Sequence, residues 1–137
     1  MILCDAGVLL CLVDRTQPQH SVYRMTVTGL AKPLVTTWSC LTEAMYLSLH
    51  RGEWVMQKQS GQLLLDKLLL ICEMQEDDYA RLLELMEKYC DRPMDLADAT
   101  LVLAAEKTGY RQILTLDSDF FFYRIGDRDT FEVIQNQ

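Results

Sequence analysis

The stretch Leu96-Ala-Asp-Ala-Thr-Leu-Val-Leu-Ala-Ala105 decides how this chain reads. It is almost wholly apolar, which predicts a helix buried nearly all round. One acid, Asp98, sits inside it and faces Leu101 and Val102 one turn on. Asp95, just upstream, is accounted for as the cap of this helix. Asp98 is poorly accounted for as a mere complement to the helix dipole, because burying a charge without a partner is costly. Pro93 precedes the helix, and Thr108-Gly109 ends it after about Lys107.

Outward from this run, short apolar stretches alternate with helical ones. Ile2–Cys4 predicts a buried parallel strand ending at Asp5, then a helix over about Gly7–Val13 that the polar stretch Asp14–Pro18 stops. His20–Leu30 reads as helical until Lys32-Pro33, and Leu34–Thr37 as a second strand. Ser39 is placed to cap a helix to Arg51 with Gly52 as its stop, and Glu53 to about Lys67 is a further helical stretch. Leu68–Cys72, Gln112–Leu116 and Phe131–Ile134 supply three more strands. From Gln75 to Cys90, Tyr79, Leu82, Leu83, Met86 and Cys90 follow the helical period, with acids on a solvated face between them. No repeat, low-complexity tract or linker divides the chain, so residues 1–137 read as one α/β domain with a mostly parallel sheet. In such folds ligands bind in the crevice outside the carboxyl ends of the strands, so acids at strand ends come first.

Half of the 137 residues are apolar, which is ample for a core and excludes a disordered chain. The net charge of −7, from 20 acids against 13 Lys and Arg, argues against a generic nucleic-acid binder. Residues 73–87 alone carry −5 and the four acids singled out below another −4, so the rest of the chain is at +2. The acidity is thus one helix face and one pocket. RNA would approach along scattered bases such as Arg15, Lys32, Arg51 or Arg124, with an affinity that depends on divalent metal. Met1–Val13 has no basic n-region and is interrupted by Asp5, and no apolar stretch reaches the roughly 18–20 residues of a spanning helix. A cytoplasmic protein without membrane association is expected. Cys4, Cys11, Cys40, Cys72 and Cys90 are scattered, contain no C-x-x-C, and read as reduced core residues. His20 and His50 are isolated.

Asp5 directly follows the first strand, and it reads equally well as a helix cap. Asp117, in Leu114-Thr-Leu-Asp-Ser-Asp119, closes another strand, where a turn former would also stand. Glu43 has Ser39, Cys40, Tyr46 and Leu47 as helical neighbours and lies near an apolar stripe, although an exposed acid early in a helix fits as well. With Asp98, these carboxylates at one end of a sheet would repel one another, so either their pKa values rise or a cation joins them. With oxygen ligands only, that cation is hard: Mg2+ or Mn2+. Such a site polarises a phosphoryl oxygen and activates water for in-line attack on a phosphodiester.

The order and setting of these acids resemble the PIN-domain family, in particular VapC-type toxin ribonucleases. The matching segments are Leu3-Cys-Asp5, Leu41-Thr-Glu43-Ala, Met94-Asp-Leu-Ala-Asp98-Ala-Thr-Leu-Val and Thr115-Leu-Asp117-Ser-Asp119-Phe120. Phe120-Phe-Phe-Tyr-Arg124 is similar to the family's C-terminal pattern. The resemblance implies a PIN-like three-layer α/β/α domain and an endoribonuclease dependent on Mg2+ or Mn2+. It implies Asp5, Glu43, Asp98 and Asp117 as catalytic residues, with Asp5, Asp98 and Asp117 on the metal. Thr115, Asp119 and Asp95 would support them, Asp119 being the other reading for the last acid. It further implies an RNA substrate, a homodimer and a small cognate antitoxin.

Gly7 is a departure, since the family often has Ser, Asn or Thr two residues after the first Asp. It favours the alternative of a catalytically weak or inactive PIN-like module that binds RNA or protein. A phosphatase or receiver domain is disfavoured: haloacid-dehalogenase-like enzymes need an Asp at the position of Gly7, and a receiver's acidic pair and late Lys are missing.

Overall fold

Strands of two or three residues suffice here because the sheet they build is covered on both faces. The computed structural model describes residues 1–135, so the last two residues of the expected domain lie outside the description. In chain order the elements are β1 (Ile2–Cys4), α1 (Ala6–Val13), α2 (His20–Leu30), β2 (Leu34–Thr36), α3 (Trp38–Leu65), β3 (Leu69–Ile71), α4 (Tyr79–Lys88), α5 (Leu96–Thr108), β4 (Gln112–Leu114), β5 (Arg124–Ile125), β6 (Asp129–Thr130) and β7 (Glu132–Val133). The main sheet is parallel throughout, in the order β3-β2-β1-β4-β7. Helices flank it in a three-layer α/β/α arrangement. β1 is the central strand: Leu3 pairs with Val35 on one side and Ile113 on the other, and Ile2, Leu3 and Cys4 are fully buried. The chain leaves β1 for β2 on one side and returns to β4 on the other, so the topology reverses between β1 and β4.

α5 is the run that decided the reading. Every residue from Ala99 to Ala105 is buried, Asp95 caps its start by accepting the Asp98 N–H, and Gly109 ends it at a left-handed φ of 80°. Two hydroxyl contacts fasten α5 and β2 to their neighbours. Thr37 and Thr100 hydroxyls meet at 2.7 Å, and Thr36 donates to the Cys4 carbonyl at 2.7 Å.

Several boundaries differ from the sequence expectation. Thr37, not Ser39, caps α3, because β2 stops at Thr36 and leaves Thr37 extended, with its hydroxyl accepting from the Cys40 N–H. α3 runs past Gly52 and breaks one residue later, at Glu53 (φ 59°, ψ −155°). A single 3-10 turn, Glu76–Asp78, precedes α4, since the Asp78 carboxylate takes the Gln75 N–H at 2.9 Å. β4 ends at Leu114, and the β5–β6 hairpin was not foreseen. All five cysteines are free, and Cys4, Cys11 and Cys40 are buried; Cys72 is half-buried and Cys90 exposed, so these two are not core residues. Among the described residues no helix is long and apolar enough to cross a membrane.

Candidate active site

β1 and β4 are parallel neighbours, and each passes an acid to the space beyond its carboxyl end. Asp5 follows β1 and Asp117 lies just beyond β4, while Glu43 stands near the start of α3 and Asp98 in the first turn of α5. All four line one cavity of about 280 Å³, which Gly7, Cys40 and Asp95 also border. Among the described residues no Lys, Arg or His lines it. The cavity thus sits where the strand order reverses, the usual ligand position in an open α/β sheet.

A chain of hydrogen bonds sets the acids. Asp5 Oδ1 accepts the Val8 N–H at 3.0 Å and so caps α1, and its Oδ2 accepts the Thr115 hydroxyl. The cap and the cavity wall are therefore the same side chain. Thr115 Oγ1 in turn accepts the Asp117 N–H at 2.9 Å, so one hydroxyl links both strand-end acids. Asp117 Oδ1 accepts the Asp119 N–H at 2.9 Å, which leaves its second oxygen for the cavity. The Tyr123 hydroxyl donates to Asp98 Oδ2 at 3.2 Å.

The electrostatics follow from burial and like charge. Burial pushes Asp5 up to about 6, against the hydrogen bonds from Thr115 and Val8, with the charges of Asp117 and Glu43 adding to the rise. Burial, then the charges of Asp95 and Asp117, push Asp98 up to about 7. Glu43 is raised by burial and by Asp95. Burial pushes the Cys40 thiol up to about 12, so at neutral pH it is not a thiolate ligand. The donors that remain are carboxylate oxygens, which suit a hard divalent cation. They surround the cavity without converging: among the described residues no three Asp, Glu, His or Cys side chains stand close enough to hold one ion.

The remaining sequence candidates divide. Asp95 borders the cavity while capping α5. Asp119 does not line it; Arg92 holds it in an ion pair at 3.1 Å. Tyr123 was missed, because within Phe120-Phe-Phe-Tyr123 it reads as one more core aromatic. The signal that could have found it is spacing: Phe120 and Tyr123 are buried, while Phe121 and Phe122 are more than half exposed. At Gly7 a Cβ would meet only Asp5 Oδ1, at 3.7 Å, so the cavity wall has room for a side chain there.

Comparison with known proteins finds a family model and solved structures similar to this chain, and no curated protein sequence that matches it. Among solved structures it is similar to the crystal structure of Mycobacterium tuberculosis VapC20, a toxin that cleaves the sarcin-ricin loop. The TM-score is 0.79 at 16% identity, covering 87% of this chain and 92% of that one, a likeness of fold. The sequence itself matches the PIN-domain profile over residues 2–127, a span that holds all four cavity acids, and the chain belongs to the PIN-domain family.

Proposed function

We propose that this chain is a Mg2+- or Mn2+-dependent endoribonuclease and the toxin of a toxin–antitoxin pair. The observation that carries the reading is the cavity at the strand reversal, lined by five acids (Asp5, Glu43, Asp95, Asp98 and Asp117) from four separate segments and, among the described residues, by no cationic side chain. A wall of that kind holds desolvated carboxylates whose charge is unmet from within, and raised pKa values at Asp5 and Asp98 are the consequence. The donors are carboxylate oxygens, whose chemistry suits a hard ion. Asp5, Asp98 and Asp117 line the cavity without converging on one point, so they would hold it only by drawing together, with Glu43 completing the pocket or orienting the attacking water. When bound, such an ion would supply Lewis acidity toward a phosphoryl oxygen and the attacking water.

The chain's own part is positioning. Thr115 fixes Asp5 and Asp117 as one unit, Tyr123 orients Asp98, and Asp95 holds the first turn of α5. Asp117 lines the pocket while Asp119 pairs with Arg92, which favours Asp117 over Asp119 as the fourth acid. Because Asp98 is pushed up to about 7, loading the site near neutrality releases protons.

The toxin part rests on the likeness to VapC20. It carries with it an RNA substrate, a homodimer, a small cognate antitoxin and a cytoplasmic setting. A second reading, a PIN-like module that binds without cutting, is favoured by the acidic balance of the chain and by Gly7, which leaves the cavity without a hydroxyl or amide at that position.

The test is to incubate the full chain with total RNA in Mn2+ or Mg2+, beside an Asp98→Ala control. Cleavage by the parent chain alone is expected. Equal cleavage by both, or none by either once any antitoxin is removed, would sink the proposal, and metal binding without cleavage supports the second reading.

A further inference from the structure

On its α3 side the acidic cavity adjoins a shallower hollow of about 580 Å³, the two sharing Glu43, Asp95 and Ala97 as walls. The hollow is bordered by two aromatic side chains, Trp38 and Tyr46, set two turns apart on α3 and 51% and 59% exposed. Neither ring is loose. The Trp38 indole N–H donates to both carboxylate oxygens of Glu73, at 2.9 and 3.0 Å, and Tyr46 stands edge-on to His50 with centroids 4.3 Å apart. The indole's one polar group is therefore already satisfied, and what the side chain has left to offer is ring surface.

We infer that Trp38 and Tyr46 form a stacking platform for the nucleobase next to the scissile phosphate, an inference that rests on the nuclease reading of the acidic cavity. The charged groups bordering the hollow are the carboxylates of Glu43 and Asp95, and among the described residues no Lys or Arg lines it. That lining repels phosphate and accepts a flat, neutral base. A single strand that sets a phosphate among the four acids must lay a neighbouring nucleotide on whatever adjoins them, and on this side the two rings adjoin them. Every base has a π-face, so the platform supplies affinity without reading sequence, at roughly 5- to 150-fold per stacked base. It also answers the charge problem of an acidic chain that handles RNA, because part of the grip comes from bases and not from phosphates.

Trp38 and Trp54 are the two tryptophans of the sequence, so Trp54→Phe leaves Trp38 as the sole indole reporter. Short single-stranded oligoribonucleotides titrated into that full-length variant should quench Trp38 emission. In cleavage assays Trp38→Ala and Tyr46→Ala should each raise KM about tenfold with kcat held within about twofold, and Trp38→Phe should recover most of the loss. If the parent chain cleaves while Trp38 is unquenched and both Ala variants keep its KM, the platform is overturned and the nuclease reading stands. Quenching and binding by a chain that never cleaves supports the platform and overturns the nuclease reading. Trp38 emission that changes with protein concentration in the absence of RNA puts a second copy of the chain on this face, and the platform falls.

Discussion

Asp14 and Asp98 are both acids that the fold withdraws from solvent, Asp14 wholly and Asp98 in part, and it treats them oppositely. Asp14, 1% exposed, accepts from the Thr16 N–H and hydroxyl, from Gln17 and from the Arg51 guanidinium. Burial alone would raise it, but these donors outweigh burial and hold its carboxyl well below the usual range. Asp98 has one side-chain donor, the Tyr123 hydroxyl, and is pushed up to about 7. Two further paired acids follow Asp14: Asp127 is lowered by Lys88 and Arg81, and Asp78 by Lys107. Acids that hold this chain together are given cations from the chain, whereas the acids around the cavity are left wanting one. Unmet charge in a cleft is the mark of a working site.

The largest break in that symmetry should come from activity. On the proposed nuclease reading, Asp98→Asn is expected to lower RNA cleavage by about 100-fold or more, since it removes a ligand and a charge that this reading places at the chemistry. Urea unfolding of the same variant should show no loss of stability, because the removed charge was repelled by Asp95 and Asp117. Asp14→Ala inverts the pattern. It removes a buried acceptor and strands its donors, for a cost of about 2–3 kcal/mol in urea unfolding, part of which the half-exposed Arg51 recovers through solvent. Its activity per folded molecule should match the parent. A destabilised Asp98→Asn or an inactive Asp14→Ala would erase the distinction.

The two acids also titrate in opposite senses. The folded value of Asp14 is lowered, so its contribution is present above the unfolded value of roughly 4 and is lost as pH falls through the folded value. Asp5 and Asp98 are raised to about 6 and about 7, so their contribution is present below roughly pH 4 and is lost as pH rises through those values. Thermal melts between pH 5 and pH 8, a range of roughly three units chosen to span those values, should show the parent losing more stability than Asp98→Asn on the alkaline side. Mn2+ should restore the parent's melting temperature there and leave Asp98→Asn nearly unmoved. Equal Mn2+ shifts in both would detach the cavity from metal binding.

Much of this was legible because a charge in the wrong place is visible without a structure. Asp98 interrupts an apolar run, and Asp5 and Asp117 close apolar strands, so strand and helix patterning alone carried three of the acids to one end of the sheet. What stayed hidden depends on partners distant in sequence. Asp117 fits the Thr-x-Asp spacing and Asp119 stands two residues on as the other reading; only the fold shows Asp117 lining the cavity and Asp119 paired with Arg92, which comes from before α5. Tyr123 looks like core until the turn through Ser118–Phe121 aims its hydroxyl at Asp98. The break in α3 falls at Glu53 while Gly52 keeps its helical place, and propensity favours the reverse. Ser39 lost the cap to Thr37 because strand pairing, not propensity, decides where β2 lets go.

Gly7 tests how far the cavity's neglect of its own charge extends. It is the second residue of α1 and a cavity wall, and its empty side-chain space lies 3.7 Å from Asp5 Oδ1. Nothing about the backbone requires glycine, since the position is helical and a Cβ fits at ordinary contact distance. Gly7→Ala should therefore stabilise the chain by about 0.5–1 kcal/mol, through the lower entropy of the unfolded state, without changing cleavage. Gly7→Ser brings the same backbone gain and adds a hydroxyl beside Asp5, the one cavity acid whose two oxygens already have donors. If the acids lack only a cation, Ser adds little beyond Ala. If the site also lacks a group to orient water, Ser raises kcat several-fold where Ala does not, and steady-state kinetics of the two variants side by side decides which kind of incompleteness the cavity has.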